Sequence, residues 1–138
     1  MEKDYIEKVF EAKVDNMHDV LSFIDEQLEM HGASMKAQMT IDIAVEEMYV
    51  NIAKYAYGEK IGKCMIAVWF IDEDVYIQLV DSGMEFDPLN KKDPDVTLNA
   101  EDRDIGGLGI YMVKKSMDEC AYQRIDGLNI FVMHKTIK

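Results

Sequence analysis

Between Ile41 and Gly58 the chain reads IDIAVEEMYVNIAKYAYG, and the spacing of its apolar residues admits little but a helix. Ile41, Ala44, Val45, Met48, Ile52 and Tyr55 fall on one stripe at helical spacing, and the expectation is that all six face the core. At about 100° per residue, Glu47 and Asn51 lie about 40° apart, one turn above the other, while Glu46 points elsewhere. Lys54 shares their sector, which borders the apolar stripe, where a helix meets a cleft. A carboxylate, a carboxamide and an ammonium in line can serve as base, metal ligand and phosphate contact. The same three residues also describe an ordinary solvated helix edge with a Glu47–Asn51 hydrogen bond.

The rest of the chain arranges itself around this helix. Tyr5 to Lys13 alternates as a first strand. Asp15 or Asn16 can cap a helix running to about Met30, with Val20, Leu21, Ile24 and Leu28 inward and His31-Gly32 as its stop. Ser34 opens the long helix and Gly58 closes it. The period then changes: Lys63 to Phe70 and Val75 to Val80 read as a hairpin about Asp72-Glu73-Asp74. Leu89 to Ile105 holds charges of both signs and no sustained period, and a loop of that length in a compact domain is functional or disordered. Gly106-Gly107-Leu108-Gly109 leads into a helix from about Leu108 to Met117, with Leu108, Tyr111 and Met112 turning inward. Ala121 to Arg124 and Asn129 to Thr136 close the chain as a hairpin about Asp126-Gly127. The order β-α-α-β-β-loop-α-β-β predicts an α+β two-layer sandwich, a mixed, mostly antiparallel sheet with helices on one face. At 138 residues this is expected to be a single domain, residues 1–138.

Charge narrows the partners. With 27 acidic against 15 basic residues the net charge is −12, which disfavours nucleic acid and an anionic membrane surface and suits a basic protein partner. No apolar run reaches the length of a membrane span, and the charged N-terminus lacks a signal peptide's apolar core, so a cytoplasmic location is expected. Cys64 and Cys120 lack metal-ligand spacing and read as free structural thiols, a Cys64–Cys120 pair being the alternative. A polyphosphate ligand in so acidic a chain needs a cation, helix N-termini and a few lysines.

Three places can hold chemistry. Asp81 ends a buried-looking strand two residues before Gly83. Its carboxylate can accept the amino proton of a purine, with Gly83 letting the backbone approach the ring, although D-S-G is also common turn chemistry. The glycines at 107 and 109 leave helix-entry N–H groups free for an anion, or mark a hinge. Asn51 can supply the one amide oxygen a phosphate-bound magnesium ion needs, with Glu47 taking a proton from an attacking hydroxyl. No P-loop, G-x-G-x-x-G or G-x-S-x-G is present.

In order, E-x-x-x-N on a helix, D-S-G-M-E-F-D-P after a strand and G-G-L-G-I-Y-M-V opening a second helix resemble the three nucleotide boxes of the GHKL (Bergerat-fold) ATPase superfamily, with the intervening loop in the place of its lid. Within it, I-A-V-E-E-M-Y-V-N-I-A and G-G-L-G-I-Y-M-V-K-K-S-M-D are similar to the anti-sigma-factor serine kinases. The resemblance covers essentially the whole chain. It implies an ATP-binding, magnesium-dependent serine/threonine protein kinase that phosphorylates a serine on a STAS-type anti-anti-sigma partner or holds a sigma factor inactive, and that forms a homodimer. By position, Asn51 would bind magnesium and Glu47 would be the general base. Asp81, beside Gly83, would read the adenine amino group, and Gly107 to Gly109 would face the phosphates. Two positions depart from the pattern. Tyr55 stands where that branch often has His, so that N-I-A-K-Y, with Lys54, resembles the histidine-kinase N-x-x-K-Y. Leu108 stands where many members have Arg, and the lid holds one arginine, Arg103. The alternatives are a non-catalytic ATP-binding regulator that sequesters its partner, and a stand-alone histidine-kinase-type catalytic domain.

Overall fold

The computed structural model describes residues 5–90 and 105–138, the side chains of residues 105–108 excepted. The loop expected to act as a lid, with Arg103, lies outside the described residues. Strand β1 (Ile6–Glu11) leads through a 3-10 turn (Val14–Asn16) into α1 (Met17–Met30) and then α2 (Met35–Asn51), which continues as a π-helical turn over Ile52–Ala56. Strands β2 (Lys63–Ile71) and β3 (Asp74–Asp81) form the first hairpin, α3 (Ile105–Ser116) follows, and β4 (Glu119–Ile125) and β5 (Leu128–Thr136) form the second.

The strand order is β1-β2-β3-β5-β4. All four neighbouring pairs are antiparallel, so the sheet is antiparallel among the described residues rather than mixed. One face alternates inward: Cys64, Ile66, Val68 and Phe70 on β2, Val75, Ile77 and Leu79 on β3, Phe131 and Met133 on β5, all buried. Against them pack Val20, Ile24 and Leu28 of α1 and Ile41, Ala44, Val45 and Met48 of α2. The opposite face carries Tyr5, Trp69, Tyr76 and His134 as a row of ring contacts with centroids 4.7–5.8 Å apart. Helices on one face of the sheet make the expected two-layer α+β sandwich.

Local chemistry explains the boundaries. Ser34 Oγ accepts from Ala37 N–H at 3.1 Å and starts α2. Gly32 (φ +73°) and Gly58 (φ +63°) take the left-handed conformation that ends a helix. Asn16 does not cap α1 with its side chain; Nδ2 instead donates to Glu11 O, tying the turn back to β1. Asp126 (φ +50°) and Gly127 (φ +82°) make the two-residue turn of the closing hairpin. Tyr49, fully buried, crosses from α2 to the end of β1. Its hydroxyl donates toward Glu11 O (2.9 Å) and Lys13 O (2.7 Å) and accepts from Lys13 N–H (3.2 Å).

Two expected core assignments are corrected. Tyr55 is 64% exposed, because the i→i+5 turn after Asn51 breaks the 3.6-residue period that placed it on the stripe. Among the described side chains of α3, from Gly109 on, the buried positions are Ile110 and Val113, joined by Met117 just past its end, a helical spacing one step out of phase with Tyr111 and Met112; Met112 is exposed, and the side chain of Leu108, also expected inward, lies outside the described residues. Where α1 meets α2, Asp25 Oδ1 and Asp42 Oδ1 are each buried with no hydrogen-bond partner among the described residues. The Asp42 carboxyl is pushed up to about 8, first by burial, then by the adjoining Asp25 carboxyl and the charges of Glu29 and Glu46.

Candidate functional site

At the C-terminal end of α2 the sandwich opens into a cavity of about 470 Å³, within the range of small-molecule sites. Glu47, Asn51 and Lys54 line it from the helix, Asp81 from the end of β3, Gly109 from α3 and Asn129 from β5. Its apolar wall comes from Met48, Ile52, Leu79, Ile110 and Phe131, with Met84, Phe86 and Pro88 from the segment after β3.

Each polar group is held for an identifiable reason. Asn51 and Glu47 stay one turn apart because α2 is regular up to that point. Asn51 Nδ2 donates to the backbone carbonyl of Glu47 at 2.8 Å, not to its carboxylate. That bond commits the amide nitrogen to the helix and turns the amide oxygen outward as an acceptor. The π-helical turn then sets Lys54 and Tyr55 at the mouth of the cavity, both exposed. It also presents Ala56 O to Met84 N–H at 2.7 Å, which staples the segment after β3 to the end of the helix. A Cβ on Gly83 would run into that same Ala56 carbonyl, so only glycine permits the approach. Gly83 therefore packs on the helix end and is not among the residues that line the cavity.

Asp81 is 5% exposed and sits on the inward face of β3. Its Oδ1 accepts from Gly83 N–H and from Asn129 Nδ2, both at 2.9 Å. Oδ2 takes no bond among the described residues. Cys64, its cross-strand neighbour, is a buried free thiol pushed up to about 12 by desolvation first and by the Asp81 charge second. Cys120, also free, is pushed up to about 11 by burial. Neither thiol is a nucleophile at neutral pH.

Helix α3 begins at Ile105, so Gly106, Gly107 and Leu108 belong to its first turn, where backbone N–H groups have no partner within the helix. Gly109 lies one residue further in, against the Glu47 carboxylate: a Cβ at Gly109 would collide with Glu47 Oε2. Glu47, Asn51, Lys54, Asp81 and Gly109 thus share one cavity, Gly107 and Leu108 immediately precede Gly109 in the first turn of the same helix, and Gly83 supports it from outside.

The sequence reading missed Asn129, Tyr122 and Arg124. Asn129 could have been found from strand parity, since it alternates with Phe131 and Met133 on the inward face of β5. Tyr122, whose phenol is held above its ordinary value by desolvation first and Glu85 next, donates its hydroxyl to Asn129 Oδ1.

Among the described residues no cluster of three His, Cys, Asp or Glu side chains can hold a metal ion. The donor set still fits a magnesium ion that arrives on phosphates, because the outward amide oxygen of Asn51 supplies the one protein ligand such an ion requires. No helix among the described residues is long and apolar enough to cross a membrane.

Comparison with known proteins places the chain among nucleotide-handling relatives. The histidine kinase-like ATPase domain family matches residues 10–135. Serine-protein kinase RsbW of Listeria monocytogenes is 31% identical over 111 residues, covering 77% of this chain and 70% of that protein. RsbW of Bacillus cereus strain AH187 is 25% identical over 116 residues, covering 77% and 72%. A crystal structure of the RsbU and RsbW domains of Rv1364c from Mycobacterium tuberculosis superposes with a TM-score of 0.69 at 16% identity, covering 96% of this chain and 32% of that one. At that identity the last likeness speaks to the fold, and the chain spans about a third of the longer protein's length.

Proposed function

The chain belongs to the histidine kinase-like ATPase domain family, and from that premise we propose that it is an ATP-binding serine/threonine protein kinase of a partner-switching pathway. It acts in the cytoplasm as an anti-sigma factor, transferring the terminal phosphate of ATP to a serine of a STAS-type anti-anti-sigma protein, or holding a sigma factor inactive. The observation that carries this reading is the single cavity in which Glu47 and Asn51 of α2 meet Asp81 of β3 and Gly109 of α3. The relatives named serine-protein kinase RsbW favour serine as the acceptor.

The roles follow from position. Asp81 Oδ2 accepts the adenine amino group, and the apolar wall of Ile52, Leu79 and Phe131 takes the faces of the base. Asn51 Oδ1 holds magnesium, which supplies charge neutralisation on the phosphates. Lys54 reaches phosphate from the mouth, and the first-turn N–H groups around Gly107 and Leu108 face the same anion. Glu47, steadied against Gly109, takes the proton of the acceptor hydroxyl. Phosphoryl transfer is largely positioning and charge neutralisation, so this small set is sufficient.

A chain of net charge −12 favours a partner with a basic contact surface. We read the uncovered sheet face, where Tyr5, Trp69 and Tyr76 form a ring row and Val9 and Ile71 are exposed, as the contact of a homodimer.

The test is incubation with γ-labelled ATP, magnesium and candidate STAS proteins. Label on a partner serine with wild type, and none with Glu47→Ala although it still binds ATP, supports the assignment. ATP binding without transfer to any cognate STAS protein instead indicates a regulator that sequesters its partner.

A further inference from the structure

Asn129 lies directly opposite Asp81 in the β3–β5 ladder, and Arg124 lies opposite Asn129 in the β4–β5 ladder. The three form one cross-strand row. Asn129 is 6% exposed, and both ends of its carboxamide are engaged. Nδ2 donates to Asp81 Oδ1 (2.9 Å) and to Met84 O (2.8 Å). Oδ1 accepts from Tyr122 OH (2.6 Å), Arg124 Nη1 (3.1 Å) and Phe86 N–H (3.3 Å). Arg124 Nη1 also donates to Gly83 O at 2.9 Å.

This array fixes the amide end for end. Reversed, it would set an NH₂ group against three donors and a carbonyl oxygen against a carboxylate and a backbone carbonyl. The donor end must therefore face Asp81. With Asn129 and Gly83 both on Oδ1, the Asp81 carboxylate cannot rotate without losing two bonds, the one to Asn129 fully buried. Its Oδ2 is left as the acceptor toward the cavity.

We propose that Asn129 is a positioning residue, buttressed by Tyr122 and Arg124, that holds Asp81 ready to accept one base amino proton and so sets the preference for adenine over guanine nucleotides. The proposal rests on the nucleotide reading above. At the position of the adenine amino group guanine carries a carbonyl oxygen, which a fixed, ionised carboxylate repels. A carboxylate free to turn or share a proton loses that discrimination.

The test is Asn129→Asp, which keeps shape and the oxygen facing Tyr122 and Arg124 but replaces the donor to Asp81 by an acceptor. Calorimetric titration with Mg-ATP and Mg-GTP, at pH 8 and pH 5.5 beside wild type, reads the effect, and thermal melts confirm the fold. At pH 8 the variant is expected to lose at least about tenfold in ATP affinity relative to wild type, the scale of one buried hydrogen bond made repulsive. At pH 5.5 a shared proton restores a donor, so the loss relative to wild type shrinks. A merely structural role predicts no such recovery. Tyr122→Phe, which removes one buttress, is expected to narrow the ATP/GTP ratio without abolishing binding. If wild type binds Mg-ATP and Asn129→Asp binds it equally well at pH 8, or loses the same factor at both pH values, the positioning role is overturned while the ATP reading stands. If wild type itself binds no Mg-ATP, the underlying reading falls and takes this one with it.

Discussion

Gly109 is packed so closely on Glu47 that a single added methyl would occupy the space of the carboxylate oxygen Oε2. The contact joins α3 to α2 at the atom assigned to proton transfer. Gly109→Ala is therefore expected to displace the base without removing it. Displacing a reacting group by about 1 Å can cost about 100-fold in rate. ATP affinity should change only a few-fold, because Asp81 and Asn51 are untouched. Transfer to a STAS substrate and calorimetric ATP binding, measured side by side, separate the two effects.

Asn51 supplies its amide oxygen to the cavity because its nitrogen is held by Glu47 O at 2.8 Å. Asn51→Ala removes that oxygen without disturbing a core position. The expected result is a loss of at least about tenfold in ATP affinity when magnesium is present. With EDTA added, wild type and variant should bind equally weakly. Titrations with and without the metal check both halves.

These residues also show how far a bare sequence can be read. Glu47 and Asn51 were legible because the apolar stripe from Ile41 to Met48 belongs to one regular helix, which fixes side-chain direction by spacing alone. Asp81 was legible as the last residue of an alternating strand. Legibility stopped where geometry left the standard periods. The π-helical turn after Asn51, whose Ala56 O accepts from Met84 N–H, is announced by no local pattern, so Tyr55, expected inward, is exposed. In α3 the glycine-rich start offers few apolar side chains, and the phase of the helix was set one step off, favouring Tyr111 and Met112 over Ile110 and Val113. Strand parity alone marks Asn129 as an inward polar residue, but its partner Asp81, 48 residues away, is given only by the pairing of β5 with β3.

The α1–α2 contact predicts a distinctive pH dependence. Asp42 holds its proton up to about pH 8 in the folded chain, against an ordinary value of 3.8. Between roughly pH 4 and 8 the folded state binds a proton that the unfolded state has released, so stability from this group falls as pH rises through that window and levels off above it. Asp42→Asn carries no such proton. Urea midpoints taken from pH 4.5 to 9 should show wild type losing stability relative to Asp42→Asn as pH increases, with the difference flattening above pH 8.

Tyr49 anchors the end of β1 to α2 through its buried hydroxyl. Tyr49→Phe keeps the ring and strands the Glu11 and Lys13 backbone groups. A loss of about 1–3 kcal/mol in unfolding free energy is expected, read from urea denaturation. ATP affinity of the folded variant should match wild type, since none of these atoms lines the cavity.

In the proposed site one cavity holds the adenine end of a nucleotide at Asp81 and its phosphates near Asn51. Calorimetric titration of wild type and the isosteric Asp81→Asn with Mg-ATP tests it most directly. One ATP per chain is expected for wild type and at least about tenfold weaker binding for the variant, whose amide oxygen is claimed by Gly83 N–H and Asn129 Nδ2 so that its NH₂ faces the base. Wild type that binds no ATP, or a variant that binds it undiminished, would contradict the account.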